Sequence, residues 1–506
     1  MSSARVEVCA RSAGTNLHST GSHVRSKHLR TATTATASGT RSRYVLGVEW
    51  WQGPLRDLVS GRRVILVGGA AAAWTTVVAA LRTLEVADVL VVGTDGRGAG
   101  PQPDARTVVA EVPPEVTGTM ARLRCILALI ATPPPHVAAA VEEFDPDRSA
   151  VVFGQFLTES PNFLGRPLVA HRRPEWVALE DKTTVDALLD RAGVPRAPST
   201  IVAVADAAKV CGALDAGAGT VWAADAREGY HGGGTGTRWV VDDLQARAAT
   251  AELARICDRV RVMPFLQGIA TSIHGIVLPD GVVALRPVEL VMLRRGHQLV
   301  YGGCATFWDP PDAMRADMRR AARQVGALLA AEVGFRGAFT LDGVATADGF
   351  RPTELNPRFG GGLGVITRGL DIPLNLILDL AVAGRRFGAS AEEIERDIVT
   401  DADRHRSGGS WQLTATPVIE TTRAACHGPA GWRWAAEGET ADGLVEAAGH
   451  FARIQFHGDR TPVGPSVGPR SVEFWQFASA DLGIPGNSLT AAPDISRHWA
   501  QGGRSR

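Results

Sequence analysis

RGAFTLDGVATADGFRPTELNPR, residues 336–358, contains two extended runs, Gly337–Asp342 and Phe350–Asn356, on either side of a turn. Side chains alternate across a strand, so Glu354 and Asn356, two positions apart, share a face. Asp342 stands twelve positions before Glu354 on the partner strand, and Phe339, Leu341 and Leu355 fall on the opposite, apolar face. Two carboxylates and a carboxamide on one face are the hard oxygen ligands that magnesium takes beside nucleotide phosphates. The register constrains this reading. A two-residue turn at Asp348-Gly349 would pair Asp342 with Leu355 and put it on the wrong face, so an odd-length loop or a bulge is required. The plain alternative is an ordinary hairpin with solvent-facing acids. Against it stands the run Asn-Pro-Arg-Phe-Gly-Gly-Gly-Leu-Gly that begins at Asn356.

Working outward, Met314, Met318, Ala321, Val325, Leu328 and Leu329 give Ala313–Glu332 one apolar face, and Gly334 ends that helix. A second helix is expected over Leu374–Ala383. Upstream, Thr271–Leu278 and Val282–Val291 read as strands joined at Pro279-Asp280-Gly281, and Val260–Phe265 and Thr220–Ala224 as two more. Helices are expected over Asp243–Ile256 and over 181–198, the latter capped by Asp181 and stopped by Gly193 and Pro195. Before Leu179, strand Arg63–Gly69, helix Ala70–Leu84, strand Val86–Gly93, helix Val137–Glu143 and strand Ala150–Phe156 alternate as in an α/β layer. GGAAAAW after the first strand is not GxGxxG and supports no dinucleotide site. Past residue 405, Ser410–Val418 and Val472–Phe477 look strand-like among several tryptophans.

The fold class expected is therefore α/β, with α+β character after residue 180. Four segments are expected: a disordered tail over 1–45, poor in bulky apolar groups, an α/β domain over 46–179, a two-lobed domain over 180–400, and a small β-rich domain over 401–506. The net charge of zero, from 53 basic and 53 acidic residues, argues against nucleic-acid binding. No apolar run reaches the length of a membrane span. Six scattered cysteines without a CxxC pair point to neither a disulfide framework nor zinc, and to a reducing cytoplasm. Only three of the 53 basic residues are lysines, Lys27, Lys182 and Lys209. In a chain so biased toward arginine, a retained lysine is a candidate for a task arginine does poorly.

With Asp342 and Glu354-Leu355-Asn356-Pro357-Arg358, residues 180–385 resemble the ATP-grasp superfamily, whose last motif is Asp, about a dozen residues, then Glu-x-Asn-Pro-Arg. The resemblance implies that Asp342, Glu354 and Asn356 hold magnesium, two ions being the family's number and manganese a substitute, against ATP. It places Lys182 on the nucleotide. The loop Glu228–Thr237, with Gly232, Gly233 and Gly234, is similar to the flexible loop that closes over the phosphates. Met263 and Phe265 would pack on adenine. Arg358, Arg295 and Arg286 are the candidates to clamp phosphate and substrate carboxylate. A lysine many relatives carry before the glycine loop is absent, since Val221–Asp225 has none, and Arg227 is the candidate substitute.

The function so implied is an ATP- and magnesium-dependent ligase, ADP-forming, that joins a carboxylate to an amine through an acyl phosphate. Residues 46–179 would be its pre-ATP-grasp domain. MPF…SIHG and TELNPR are similar to peptide ligases of bacterial secondary metabolism, pheganomycin-type enzymes among them. Expected partners are a small carboxylate and an amine or amino acid, with no nucleic acid and no membrane, and a homodimer as the oligomer to look for. Two alternatives stay open: an ATP-grasp enzyme forming a thioester or acyl phosphate, and a degenerate nucleotide-binding module in regulation or assembly. His231, His274 and His297 have no metal spacing, and Cys304 has no identifiable base.

Overall fold

The computed structural model describes residues 48–98, 101–113, 115–116, 119–227, 229, 234–295, 298–414, 416–484 and 489–491. The expected tail over 1–45 lies outside them, as do His231, Gly232, Gly233 and His297.

The first layer is a parallel sheet of β1 (Arg63–Val67), β2 (Asp88–Gly93), β3 (Arg106–Val109) and β4 (Val151–Phe153), in the order β3-β2-β1-β4. Its strands read as unbroken apolar runs because both faces are covered. Val64 and Leu66 pack with Trp74, Val77, Val78 and Leu81, while Ile65 and Val67 pack with Ile126, Ile130, Val137 and Val141. The helix expected over Ala70–Leu84 starts as a 3-10 turn, Ala71–Trp74, and becomes α-helical only over Thr75–Arg82. A two-stranded ribbon, β5 (Asn162–Phe163) and β6 (Arg166–Pro167), follows.

The second sheet is antiparallel, from β7 (Thr200–Ala203), β8 (Thr220–Ala224), β9 (Thr237–Val240) and β10 (Arg259–Pro264), in the order β7-β10-β8-β9. Trp222, Ala224, Val260 and Val262 form a core with Ala207, Ala246, Ala249 and Leu253 of two helices. Alternation leaves Val221, Ala223, Arg261 and Met263 on the other face. The helix at 181–198 is shorter than expected, Val185–Arg191, and its N-cap is Thr184 with no side-chain cap bond. Asp181 instead accepts from Thr183 N and Oγ1 at 2.8 and 2.7 Å, closing the turn that carries Lys182.

The third sheet has twelve strands. They are β11 (Ile269–Leu278), β12 (Gly281–Ala284), β13 (Val288–Arg295), β14 (Gln298–Ala305), β15 (Gly337–Thr346), β16 (Gly349–Asn356), β17 (Gly408–Leu413), β18 (Thr421–Gly428), β19 (Gly431–Trp434), β20 (Gly443–Ala448), β21 (Phe451–Phe456) and β22 (Leu489–Ala491). Their order is β16-β15-β11-β13-β14-β17-β21-β20-β18-β19, with β12 against β11 and β22 against β13. The helix Asp312–Val333 lays Met318, Ala322, Val325 and Leu329 on Ile273, Phe339, Leu341 and Leu355. Gly334, at φ 60°, takes the left-handed cap that ends it.

Three expectations change. The run Val282–Val291 is two strands, broken at Leu285-Arg286-Pro287, where proline offers no N–H to the ladder. β14 was not foreseen, because it opens on polar Gln298. Val472–Phe477 is helical, within Gly468–Leu482, where Ser471, Phe474, Trp475, Ala478 and Leu482 make one buried stripe. No single helix among the described residues is long and apolar enough to cross a membrane.

Candidate functional site

The hairpin solves its parity problem with a bulge. Its turn is Ala347-Asp348, with Thr346 opposite Gly349, so an unbroken ladder would set Asp342 against Thr353. The register shifts between Asp342 and Gly343, Thr353 is left over, and Asp342 stands directly opposite Glu354, with Thr340 opposite Asn356. β11 extends both rows, placing Ser272 beside Asp342 and His274 beside Thr340. The bulge is anchored by buried Arg261, whose Nη1 donates to the Thr353 carbonyl at 3.3 Å and whose Nη2 pairs with Asp186 at 2.7 Å.

On this face Ser272 Oγ donates to Asp342 Oδ1, and Asn356 Nδ2 donates to Asp342 Oδ2 at 2.9 Å. Lys182 Nζ pairs with Glu354 Oε1. Arg358 Nη2 donates to Asn356 Oδ1 at 2.9 Å and Arg358 Nε to Glu180 Oε1 at 2.9 Å; Arg172 reaches the same Glu180 oxygen at 2.7 Å. Burial, and then the charge of Glu354, push the Asp342 carboxyl up to about 6. Of the residues singled out from sequence, the structure thus brings Lys182, Asp342, Glu354, Asn356 and Arg358 together.

The following glycines explain how this face is closed. A Cβ at Gly360 would lie 2.4 Å from Thr340 Oγ1, and one at Gly362 would lie 2.5 Å from the His274 ring. The helix Gly361–Ile366 can therefore seat directly on that row. Burial drops the His274 pKa to about 3, so the ring is neutral. Cys304 is equally inert, its thiol pushed up to about 12 by burial.

Other candidates fall elsewhere. Arg286 is fully buried and pairs with Asp309 at 2.9 Å and Asp403 at 3.2 Å, joining the break between β12 and β13 to the helix Ala391–Arg404. Held by these two carboxylates, it is not among the side chains that meet on the hairpin face. Arg295 ends β13, seven residues beyond Val288, the partner of Ser272. At about 3.3 Å per residue it stands some way from Asp342, on the side where Gly234 packs against the Leu299 carbonyl. Arg227 donates to Asp258 at 2.7 Å and to the Arg255 carbonyl at 2.8 Å, so its guanidinium is turned to the end of the helix Asp243–Leu253. The cation next to the place of the absent lysine is Arg261, whose residue pairs with Ala223. Sequence reading passed over it, although Arg259, Arg261 and Met263 alternate visibly along β10. Met263 is buried on that face, its sulfur accepting from Arg261 at 3.1 Å. Phe265 stacks on Trp239 at 4.4 Å, and Arg294 covers Trp239 at 4.9 Å.

The hairpin face suits a divalent cation in part. Among the described residues no three His, Cys, Asp or Glu side chains converge. Asp342 and Glu354 do face each other across the two strands. A carboxamide oxygen has two lone pairs, so Asn356 can accept from Arg358 and still offer a ligand. Two carboxylates, one carboxamide and phosphate oxygens make a set that magnesium accepts, because it binds in phosphate sites through few protein ligands.

No protein-family model matches the chain, and no curated protein sequence does. Solved structures do. The biotin carboxylase domain of Hydrogenobacter thermophilus 2-oxoglutarate carboxylase, with magnesium ADP, ADP and bicarbonate, matches at 13% identity over 85% of this chain and 91% of its own, TM-score 0.50. Campylobacter jejuni biotin carboxylase in a β,γ-ATP complex matches at 13% identity over 87% and 94%, TM-score 0.50. Rhizobium etli pyruvate carboxylase matches at 15% identity over 84% of this chain and 37% of that one, TM-score 0.51. At such identities the likeness speaks for architecture: the chain has the ATP-grasp fold.

Proposed function

We propose that this protein is an ATP- and magnesium-dependent, ADP-forming ligase that joins a carboxylate to an amine through an acyl phosphate. The observation that carries the reading is the Thr353 bulge. It sets Asp342 opposite Glu354 on one face with Lys182, Asn356 and Arg358, inside a fold that solved nucleotide complexes share.

Asp342, Glu354 and Asn356 would hold magnesium, which when bound neutralises phosphate charge and fixes the phosphates in place. Lys182 supplies a compact positive charge beside Glu354 for the same phosphates. Arg358, oriented by Glu180 and Asn356, presents its guanidinium where charge builds up on the transferring group. Met263, Phe265 and the loop bearing Gly232, Gly233 and Gly234 serve the nucleotide's base and phosphates. Arg295, at the end of β13, is a further candidate for the phosphates. Arg227 and Arg286 have no part in this reading.

The substrates are small molecules or peptides of a biosynthetic pathway, the enzyme works in the cytoplasm, and a homodimer is its expected assembly. Phosphate release from magnesium ATP tests the proposal, measured across a panel of carboxylate and amine pairs. Release that needs both substrates supports ligation. Nucleotide binding without turnover on a broad panel would leave the regulatory module as the better reading.

A further inference from the structure

Burial fixes only part of the hairpin's register. Leu341 and Leu355 are buried and face each other. Keeping them so takes one extra residue between the turn and Leu355, because a one-residue slip would send Glu354 into the core. Which residue is extra stays open. Were it Glu354, Leu341 would still meet Leu355, but Asp342 would face Thr353 and Glu354 would stand outside the ladder. The paired carboxylates therefore depend on whatever selects Thr353 to be left over.

A bulge takes its extra residue out of the strand pairing, and a buried backbone group so released needs a partner from elsewhere. Inside the hairpin, Gly343 lets the strands close up at this point, since a Cβ there would lie 2.4 Å from the Arg351 carbonyl oxygen. Thr353 Oγ1 donates to the Asp342 carbonyl at 3.3 Å. The Thr353 carbonyl itself is met from another sheet, by Arg261 of β10. Three further contacts aim that guanidinium. Nε donates to Asp186 Oδ2 at 3.0 Å, Nη2 lies 2.7 Å from Asp186 Oδ1, and Nη1 also donates to Met263 Sδ at 3.1 Å. Asp186, on the helix Val185–Arg191, is held in turn by Ser199 Oγ. Arg261 is fully buried. A buried cation needs a carboxylate, which Asp186 supplies. The Thr353 carbonyl needs a donor in a set direction, and the rigid fork of a guanidinium serves both at once.

We propose that Arg261 is a positioning residue for the hairpin carboxylates: by holding the Thr353 carbonyl it keeps Glu354 in the ladder opposite Asp342. It acts through the Thr353 backbone, so its effect on magnesium is indirect. The use of these carboxylates for magnesium rests on the proposed function; the hold on the register does not.

The double variant Arg261→Met, Asp186→Leu tests this, because replacing both members of a buried ion pair by apolar residues spares the fold. Cooperative thermal unfolding checks that it does. Amide hydrogen exchange followed by mass spectrometry reads the register. Peptides covering 350–356 should exchange at least about tenfold faster in the variant, with the helix Asp312–Val333 unchanged. Calorimetry reads the consequence. Magnesium ATP should bind at least about tenfold more weakly, while adenosine, which has no phosphate to share with a metal, should bind within about threefold of the wild type. Arg261→Lys, which keeps the charge beside Asp186 but not the fork, should move both readouts the same way by a smaller factor. Unchanged exchange over 350–356, or an equal loss for adenosine and magnesium ATP, overturns the proposal. Wild-type ATP binding that ignores magnesium would sink the reading of the hairpin as a metal site; faster exchange in the variant would still leave Arg261 as the hold on its register.

Discussion

The hairpin β15–β16 and a crevice above β1 and β4 treat polar groups in opposite ways. On the hairpin, Asp342, Glu354, Asn356 and Arg358 bond to one another, to Ser272 and to Lys182, with glycines beneath so that the helix Gly361–Ile366 closes over them. In the crevice, Gln155 and Thr158 share one turn after β4, Asp379 stands on a distant helix, and all three face a hollow. A packed, mutually bonded face suits a fixed task such as holding phosphate and metal. Open acceptors around a cavity suit a ligand that comes and goes. Substitutions should therefore act differently in the two places.

Glu354→Ala breaks the hairpin side most severely. It removes a carboxylate and strands Lys182, so ATP turnover should fall at least about a hundredfold in a phosphate-release assay, the scale seen when one preorganised electrostatic group is lost. Next comes Gly362→Ala, whose new methyl meets the His274 ring. Overpacking of this kind costs about 1–3 kcal/mol, readable as a lower urea midpoint with unchanged slope. On the crevice side, Thr158→Val is the smallest and has the opposite sign to Gly362→Ala. Removing a buried hydroxyl that has no partner among the described residues should stabilise the protein by about 1 kcal/mol, measured by urea unfolding. A destabilised Thr158→Val protein would mean that the hydroxyl has a structural partner and that the crevice is packed like the hairpin.

The same contrast explains what could be read from the sequence. Asp342, Glu354 and Asn356 lie within fifteen residues of one another, so strand alternation and the parity of one turn placed them on a common face and required an odd-length loop or a bulge, of which the structure has the bulge at Thr353. Lys182 stood out through the scarcity of lysine. The crevice could not be read this way, because the turn carrying Gln155 and Thr158 meets Asp379 only through the docking of a distant helix. Arg286 and Arg227 could not be told apart from Arg358 by type, because arginine is this chain's default base and its charge alone says little. The helix Gly468–Leu482 was hidden by Val472, Phe474, Trp475 and Phe477, residues with strand propensity whose helical stripe becomes clear only against the core it covers.

The central claim is that the hairpin face binds ATP through magnesium. Calorimetric titration of ATP into the wild type and Glu354→Ala, each with magnesium and with EDTA, tests it most directly. Magnesium-dependent binding in the wild type, lost in the variant while its thermal unfolding stays cooperative, is the result expected. Equal ATP affinity in the two proteins, or wild-type binding indifferent to EDTA, would contradict the assignment of Asp342, Glu354 and Asn356.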